Sequence, residues 1–420
     1  MNTNGYECFA CGRKEPADFV GFACPACGGN LSVTYDLARV RAAGFDDRRG
    51  DIFRYSALLP IRDAALASPL RVGGTPLYPA PRLGALAGLN KLHVKDDGLM
   101  PSASFKDRAG AVALVVARER GATVIAGATT GNAGSSMACL AASVGFPCVI
   151  FVPASAPPAK IAQLKVFGAH VLAVRGNYDQ AFDLCAEVCR RRGWFNRNTG
   201  ANPFTREGKK TCSFEIWEQL GRRMPEHVLV PTGDGNIISG IWKGFCELRD
   251  LGWADRTPQV HAVQAETSAA IARTVGRLRA DPAFDPAGGW ARVQVDTVQA
   301  TTLADSISVD LPRDGLAAVR AVMESGGEAV TVSDAAILAA IPEVARGCGV
   351  FVEPAAAAAW AGARKLAASG RLSAEELVVC LFTGNGLKDV ARAREAAGEP
   401  VLIEPTVDAA DRAVAGLGMG

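Results

Sequence analysis

The chain is expected to fold as an α/β protein with two open parallel-sheet units, preceded by a small metal-binding ribbon. Three observations predict this. From residue 106 onward, short apolar runs alternate with longer amphipathic stretches, the pattern of buried parallel strands covered by helices. Glycine-rich turns stand where several of these runs give way to helices, and four of the twelve cysteines pair as C-x-x-C near the start.

Those four, Cys8, Cys11, Cys24 and Cys27, form two knuckles separated by twelve residues, each able to present two thiolates to one tetrahedral ion. Zinc suits a four-sulfur set with no open position, in a structural role; iron or a redox pair is the alternative. The other eight cysteines lie in apolar stretches and read as small core residues. Residues 36–104 are mixed in character, with an extended piece at 91–95. A first regular series follows: helix 107–119, strand 123–128, helix 132–144, strand 147–152, helix 158–167, strand 170–174, helix 178–192 and strand 194–197. The second series is strand 227–231, helix 237–250, strand 259–264, helices near 268–280, 334–346 and 355–368, and strand 377–382.

Composition narrows the function classes. With 49% hydrophobic and 21% charged residues and a formal charge of +2, the chain reads as an ordinary globular protein without the field needed to hold nucleic acid or membrane. The expected partners are small molecules and sister subunits. Its first residues carry no secretory pattern, and the longest apolar stretch, 137–153, is broken by Ser143, Gly145 and Pro147, so a cytoplasmic enzyme is expected.

The segment Ser104-Phe105-Lys106-Asp107-Arg108 sets one lysine at the mouth of an apolar helix. The helix dipole and the neighbouring cation should lower its pKa, which makes an amine a usable nucleophile. In open sheets, ligands sit beyond the carboxyl ends of the strands. Three polar loops follow strands there. Thr129-Thr130-Gly131-Asn132-Ala133 opens a helix whose free N–H groups suit a carboxylate. Pro231-Thr232-Gly233-Asp234-Gly235-Asn236 suits a phosphate, and Thr383-Gly384-Asn385-Gly386-Leu387-Lys388-Asp389 follows the last strand.

Taken in order, Lys95 to Gly98, Ser104 to Arg108, Thr130-Gly131-Asn132, Gly233 to Asn236, Gly349 to Ala355 and Thr383 to Asp389 resemble the threonine synthase family. That family belongs to the fold-type-II pyridoxal-phosphate enzymes related to the tryptophan synthase β subunit. The resemblance implies the fold-type-II arrangement of two open parallel-sheet domains, and a homodimer acting on a small amino-acid substrate. It divides the chain into a zinc-ribbon-like leader (1–35), a larger cofactor-binding α/β domain (36–108 and 209–400), a smaller α/β domain (109–208) and a C-terminal tail (401–420).

It further implies that Lys106 carries pyridoxal 5'-phosphate as a Schiff base and serves as the acid and base. Asn132 would meet the ring hydroxyl, Gly233, Asp234, Gly235, Asn236 and Ile237 the cofactor phosphate, and Thr383 the pyridine nitrogen. The substrate would be held by Thr130, Gly131, Asn132, Ala133 and Arg206. Asp234 is awkward beside a phosphate unless it points away or meets Lys243.

The implied reaction is the conversion of O-phosphohomoserine and water to L-threonine and phosphate. Two departures bear on it. Met100-Pro101-Ser102-Ala103 replaces the family's usual Asn-Pro-Thr-Gly, and its Asn-Ser pair and Arg for the substrate phosphate fall here on Thr199, Gly200 and Thr205. Arg206, Lys209, Lys210, Lys160 and Arg197 are the candidate replacements. The alternative is a β-eliminating or β-replacing enzyme acting on serine, threonine or O-phosphoserine, such as a dehydratase or a cysteate-synthase-like enzyme.

Overall fold

The computed structural model describes residues 2–129, 131–156 and 158–417, without the side chains of 158–160. The chain begins with a three-stranded antiparallel ribbon. Strand β1 (Thr3–Cys8) lies between β2 (Lys14–Pro16) and β3 (Leu31–Tyr35). Each C-x-x-C pair is followed by a glycine in the left-handed region, Gly12 at φ +71 and Gly28 at φ +72, which turns the chain back sharply. Helix α1 (Leu37–Ala43) leads away from the ribbon, capped by the Asp36 carboxylate on Arg39 N.

Strand β4 (Leu77–Pro79), helix α2 (Pro81–Ala85), strand β5 (Lys91–Asp96) and helix α3 (Lys106–Glu119) come next. The chain then alternates through β6 (Ile125–Ala128), α4 (Asn132–Ala142), β7 (Cys148–Pro153), α5 (Pro158–Val166), β8 (His170–Val174), α6 (Tyr178–Arg192) and β9 (Phe195–Asn196). These four strands form one parallel sheet in the order β8-β7-β6-β9. After α7 (Phe204–Gln219) come β10 (His227–Pro231), α8 (Asn236–Asp250), β11 (Gln259–Ala265), α9 (Ala270–Ala280), α10 (Gly315–Ser325) and β12 (Ala329–Val332). The chain finishes with α11 (Asp334–Cys348), α12 (Pro354–Ala368), β13 (Leu377–Phe382), α13 (Val390–Ala397) and α14 (Val407–Ala415).

The larger sheet runs β12-β11-β10-β13-β5-β4, parallel throughout except for the edge strand β4. Every residue of β10 and β13 is buried, as central parallel strands with both faces covered must be. The α/β expectation therefore holds. Beyond residue 106 the sequence reading missed α7, α10, β12, α13 and α14.

Helix α7 was illegible for a physical reason. It is buried on all sides from Phe204 to Trp217, and its charged residues are paired inside the protein, so no apolar stripe marks one face. Gly208 lets it lie directly on α3, because a Cβ there would come within 2.0 Å of Arg108 O. Glu215 gathers Lys95 Nζ and both terminal nitrogens of Arg108, each at 2.7 Å, and Arg108 Nε also reaches Asp97 at 2.7 Å. Glu207 meets Lys210, Lys243 and the hydroxyl of Tyr35.

Removing one member of such a network leaves a buried charge uncompensated. Glu215→Ala is expected to lower stability by about 3–5 kcal/mol, seen as a lower urea midpoint. Burial opposes ionisation of Glu215, yet Arg108 and Lys95 hold its carboxyl well below the ordinary 4.5. Its contribution is therefore present above that pH and lost as the pH falls towards the folded value. An unchanged midpoint in the variant at neutral pH would contradict this.

Candidate active site

The end of β13 holds the start of α3. Phe105 N donates to Thr383 O at 2.9 Å, Asn385 N to Ala103 O at 3.1 Å, and Ser104 bridges to Gly384. Ser102 closes the turn by donating its N–H and hydroxyl to the Asp107 carboxylate at 2.7 and 2.5 Å. Lys106 is thereby fixed as the first residue of α3, a helix whose start has no side-chain cap. Its amine is pushed down to about 8, first by burial and then by the Arg197 cation, while Asp234 and Glu353 pull the other way. The neighbouring cation expected to act, Arg108, is engaged with Asp97 and Glu215 instead, and the cation that acts comes from beyond β9.

Lys106 lines a narrow cavity together with Asn132, Thr199, Lys209, residues 231–238, Ser306, Ile307, Glu353, Ala355 and Thr383. Gly233, Asp234, Gly235, Asn236 and Ile237 all stand on its wall. Two of them have to be glycine. A Cβ on Gly233 would lie 2.8 Å from Ile307 Cα, and Gly235 has φ +92 with Asp314 O 2.8 Å from its ideal Cβ. No side chain caps α8, so its first amides are available to an anion.

Asp234 lines the cavity beside that seat, and its buried Oδ2 has no hydrogen-bond partner among the described residues. Its Oδ1 accepts from Arg313 N at 2.7 Å, while Lys243, the partner considered for it, pairs with Glu207. Burial, together with nearby Asp314, raises its pKa. Asn132 opens α4, also without a side-chain cap, and its Nδ2 donates to both Glu353 oxygens at 2.9 and 3.1 Å. Gly131 and Ala133 border the wider mouth of the cleft; Thr130 lies outside the described residues.

The basic residues divide sharply. Arg206 does not reach the cavity: it donates to Leu31 O at 3.0 Å and Ser239 Oγ at 3.1 Å, pairs with Asp314, and stacks on Phe9 at 4.3 Å. Its expected place at the substrate is corrected accordingly. Being one position late in the Asn-Pro register turns its side chain to the ribbon side of α7. Lys210 is committed to Glu207 and Glu247, and the side chain of Lys160 lies outside the described residues. Lys209 lines the cavity and donates to Asn236 Oδ1 at 2.5 Å. Arg197 is 2% exposed, its Nη1 donates to Thr199 Oγ1 at 2.9 Å, and its Nε and Nη2 have no partner among the described residues.

Glu353 and Ser306 were not foreseen as site residues. Glu353 stands inside a quoted motif, just before the proline that opens α12, and that position was its only signal. Ser306 sits in a single short 3-10 turn, Asp305–Ile307, too brief to leave a pattern to read.

In the ribbon, the Sγ atoms of Cys8, Cys11, Cys24 and Cys27 all lie within 4.8 Å of one another. The contacts Cys8–Cys27 and Cys11–Cys27 are 3.5 Å and Cys11–Cys24 is 3.7 Å. A tetrahedral ion with metal–sulfur bonds of about 2.3 Å sets its sulfurs about 3.8 Å apart, so the four thiols fit zinc.

Pyridoxal phosphate asks for an amine, an anion seat and a polar wall beside its ring. Lys106, the uncapped start of α8 with its two obligatory glycines, and Asn132 and Thr383 supply them within one cavity, so these residues fit the cofactor. A family model for pyridoxal-phosphate dependent enzymes matches residues 69–384. The threonine synthase of Methanosarcina acetivorans is 35% identical over 98% of this chain and 98% of its own length. That of Methanocaldococcus jannaschii is 35% identical over 95% and 96%. Among solved structures, the processed form of threonine deaminase isoform 2 from Solanum lycopersicum superimposes with a TM-score of 0.66 at 20% identity, covering 84% of this chain and 94% of that one. Maize serine racemase gives 0.62 at 20% identity, covering 76% and 91%; both show likeness of fold. With the family model spanning most of the chain and relatives of one kind matching nearly all of it, the chain belongs to the threonine synthase family of pyridoxal-phosphate-dependent enzymes.

Proposed function

We propose that the protein is a lyase that converts O-phosphohomoserine and water to L-threonine and phosphate. The observation that carries this reading is one lysine beside the open amides of Gly233 to Ile237 and beside Thr199, which holds a buried, incompletely paired Arg197 at the cavity's edge as a second anion seat. A phosphorylated substrate acting beside a phosphorylated cofactor needs two such seats. Full-length similarity to proteins named threonine synthase supports the same assignment.

On this reading the amides of Gly233, Asp234, Gly235, Asn236 and Ile237 bind the cofactor phosphate, Lys106 Nζ is its point of attachment, Asn132 faces the ring hydroxyl and Thr383 the ring nitrogen. When bound, the cofactor supplies the electron sink that makes protons on the substrate carbons removable. Gly131, Asn132 and Ala133 hold the substrate carboxylate at the start of α4, with Thr130 assigned by sequence alone. Arg197 replaces Arg206 as the grip on the substrate phosphate, because a guanidinium with two unpaired donors is costly to bury until an anion arrives. Lys106, freed by the substrate amine, moves protons at the substrate's Cα, Cβ and Cγ as phosphate leaves Cγ and water adds at Cβ. Structural zinc on the four cysteines, a homodimer, a cytoplasmic setting and the division into larger and smaller α/β domains complete the proposal.

An amine at about 8 is roughly one-quarter neutral at pH 7.5, against roughly one in a thousand at the ordinary 10.5. Attachment of pyridoxal phosphate to the cofactor-free protein should therefore rise with pH to an inflection near 8. Arg197→Leu should move that inflection upward, and an inflection near 10.5 in the wild type would contradict the cause assigned here. Lys106→Ala should lose both turnover and the visible absorbance of bound cofactor while keeping the fold.

The product assay tests the function itself. Cofactor-loaded protein given O-phosphohomoserine should yield threonine and phosphate in equal amounts, and Arg197→Leu should raise KM by roughly 10- to 100-fold with cofactor binding retained. Inert phosphohomoserine, with ketoacid from serine or threonine or cysteate from O-phosphoserine and sulfite, would overturn the assignment in favour of an eliminating or replacing enzyme.

A further inference from the structure

The four-cysteine ribbon is joined to the anion seat at α8 by a run of hydrogen bonds, part-buried at Asn30 and buried at Asp314. It starts at the second knuckle. Gly29 is pinned between the thiols, where a Cβ would lie 3.0 Å from Cys8 Sγ and 3.2 Å from Cys27 Sγ. Its carbonyl accepts from Cys24 N at 2.9 Å, so the sulfur cluster and the backbone leading to Asn30 share one geometry.

Asn30 Nδ2 then donates to Arg313 O at 2.7 Å and to Asp314 Oδ1 at 2.9 Å. Asp314 is 1% exposed and is the hub. Its Oδ1 also meets Arg206, which reaches back to the ribbon through Leu31 O at 3.0 Å. Its Oδ2 accepts from Asn236 Nδ2 at 2.8 Å and Ser239 Oγ at 2.7 Å, both in the first turn of α8. Its own N–H donates to Asp234 O at 3.0 Å, inside the glycine loop, and its carbonyl closes on Gly235 so tightly that only glycine fits.

A buried carboxylate with every donor in place fixes the groups that supply them, and a missing donor leaves it short of a partner. The ribbon provides one such donor outright, from Asn30, and orients a second, from Arg206. We propose that the cysteine ribbon is a positioning element for the cofactor-phosphate seat, with Asn30 acting through Asp314 on Asn236 and the first turn of α8. The metal-ordered ribbon holds the seat in its binding geometry, and loss of the metal loosens cofactor retention. This rests on the reading that Gly233 to Ile237 seat the cofactor phosphate and that the four thiols bind zinc.

The test measures the dissociation constant of pyridoxal phosphate by absorbance on the full-length protein, zinc-loaded and chelator-stripped, with metal content followed by mass spectrometry. Stripping zinc from the wild type should weaken cofactor binding about tenfold, a usual size for coupling between sites. Asn30→Ala with zinc bound should produce a loss of similar size and shift the phosphorus resonance of the bound cofactor, which a merely distant packing defect would leave in place. Stripping zinc from Asn30→Ala should then add little, because the connection is already cut.

Full additivity of the two losses, or unchanged cofactor affinity in zinc-loaded Asn30→Ala, overturns the proposal. The second criterion holds even if stripping unfolds the chain. A wild type that holds no zinc at these thiols also overturns it while leaving the catalytic reading intact, whereas a zinc-loaded wild type that binds no cofactor overturns both.

Discussion

The constraint on which the rest of this structure depends is the convergence of helix N-termini on one lysine. Helices α3, α4, α8 and α12 begin at Lys106, Asn132, Asn236 and Pro354, and none of the four starts carries a side-chain cap. Their positive ends face a common cavity lined by Lys106 and Lys209, with the Arg197 guanidinium near enough to act on the Lys106 amine. Such a site is poor for a protonated amine and good for anions. Burial and then the Arg197 cation depress the pKa of Lys106, and the uncapped helix starts beside it supply the capacity for phosphate.

Parallel sheets produce this arrangement almost unavoidably, since strand carboxyl ends and helix starts fall on the same side. What the particular residues add is closeness of approach. Gly233 and Gly235 let the α8 loop press against Ile307 and Asp314, and Gly208 lets α7 lie on α3. The charges needed to hold so polar an interior together are then neutralised in pairs, by Glu215 with Arg108 and Lys95 and by Asp314 with Arg206. The interior is thus ionic where helices carry the site, and apolar in the strands that align them.

Much of this was legible in the sequence where one face of an element differs from the other, or where a strand is apolar throughout. The strands β6, β7, β8, β10, β11 and β13 announce themselves in that way. Helix α7 does not, because charges paired in three dimensions look in one dimension like a solvated segment. The site divides along the same line. Lys106, Asn132, Gly233 to Ile237 and Thr383 stand in loops directly after or before readable elements, and all line one cavity. Glu353, Ser306 and the unpaired edge of Arg197 gain their meaning from neighbours far away in sequence, and the engagement of Arg206 depends on a ribbon nearly two hundred residues earlier.

The central claim is that the cavity holds two anions at once on separate seats around a lysine of lowered pKa. Phosphorus NMR of the cofactor-loaded protein, titrated with a phosphonate analogue of O-phosphohomoserine, tests it most directly. The account predicts two distinct bound resonances, with that of the analogue lost in Arg197→Leu and that of the cofactor preserved. A single bound resonance at saturation, with the analogue remaining free in solution, would contradict it.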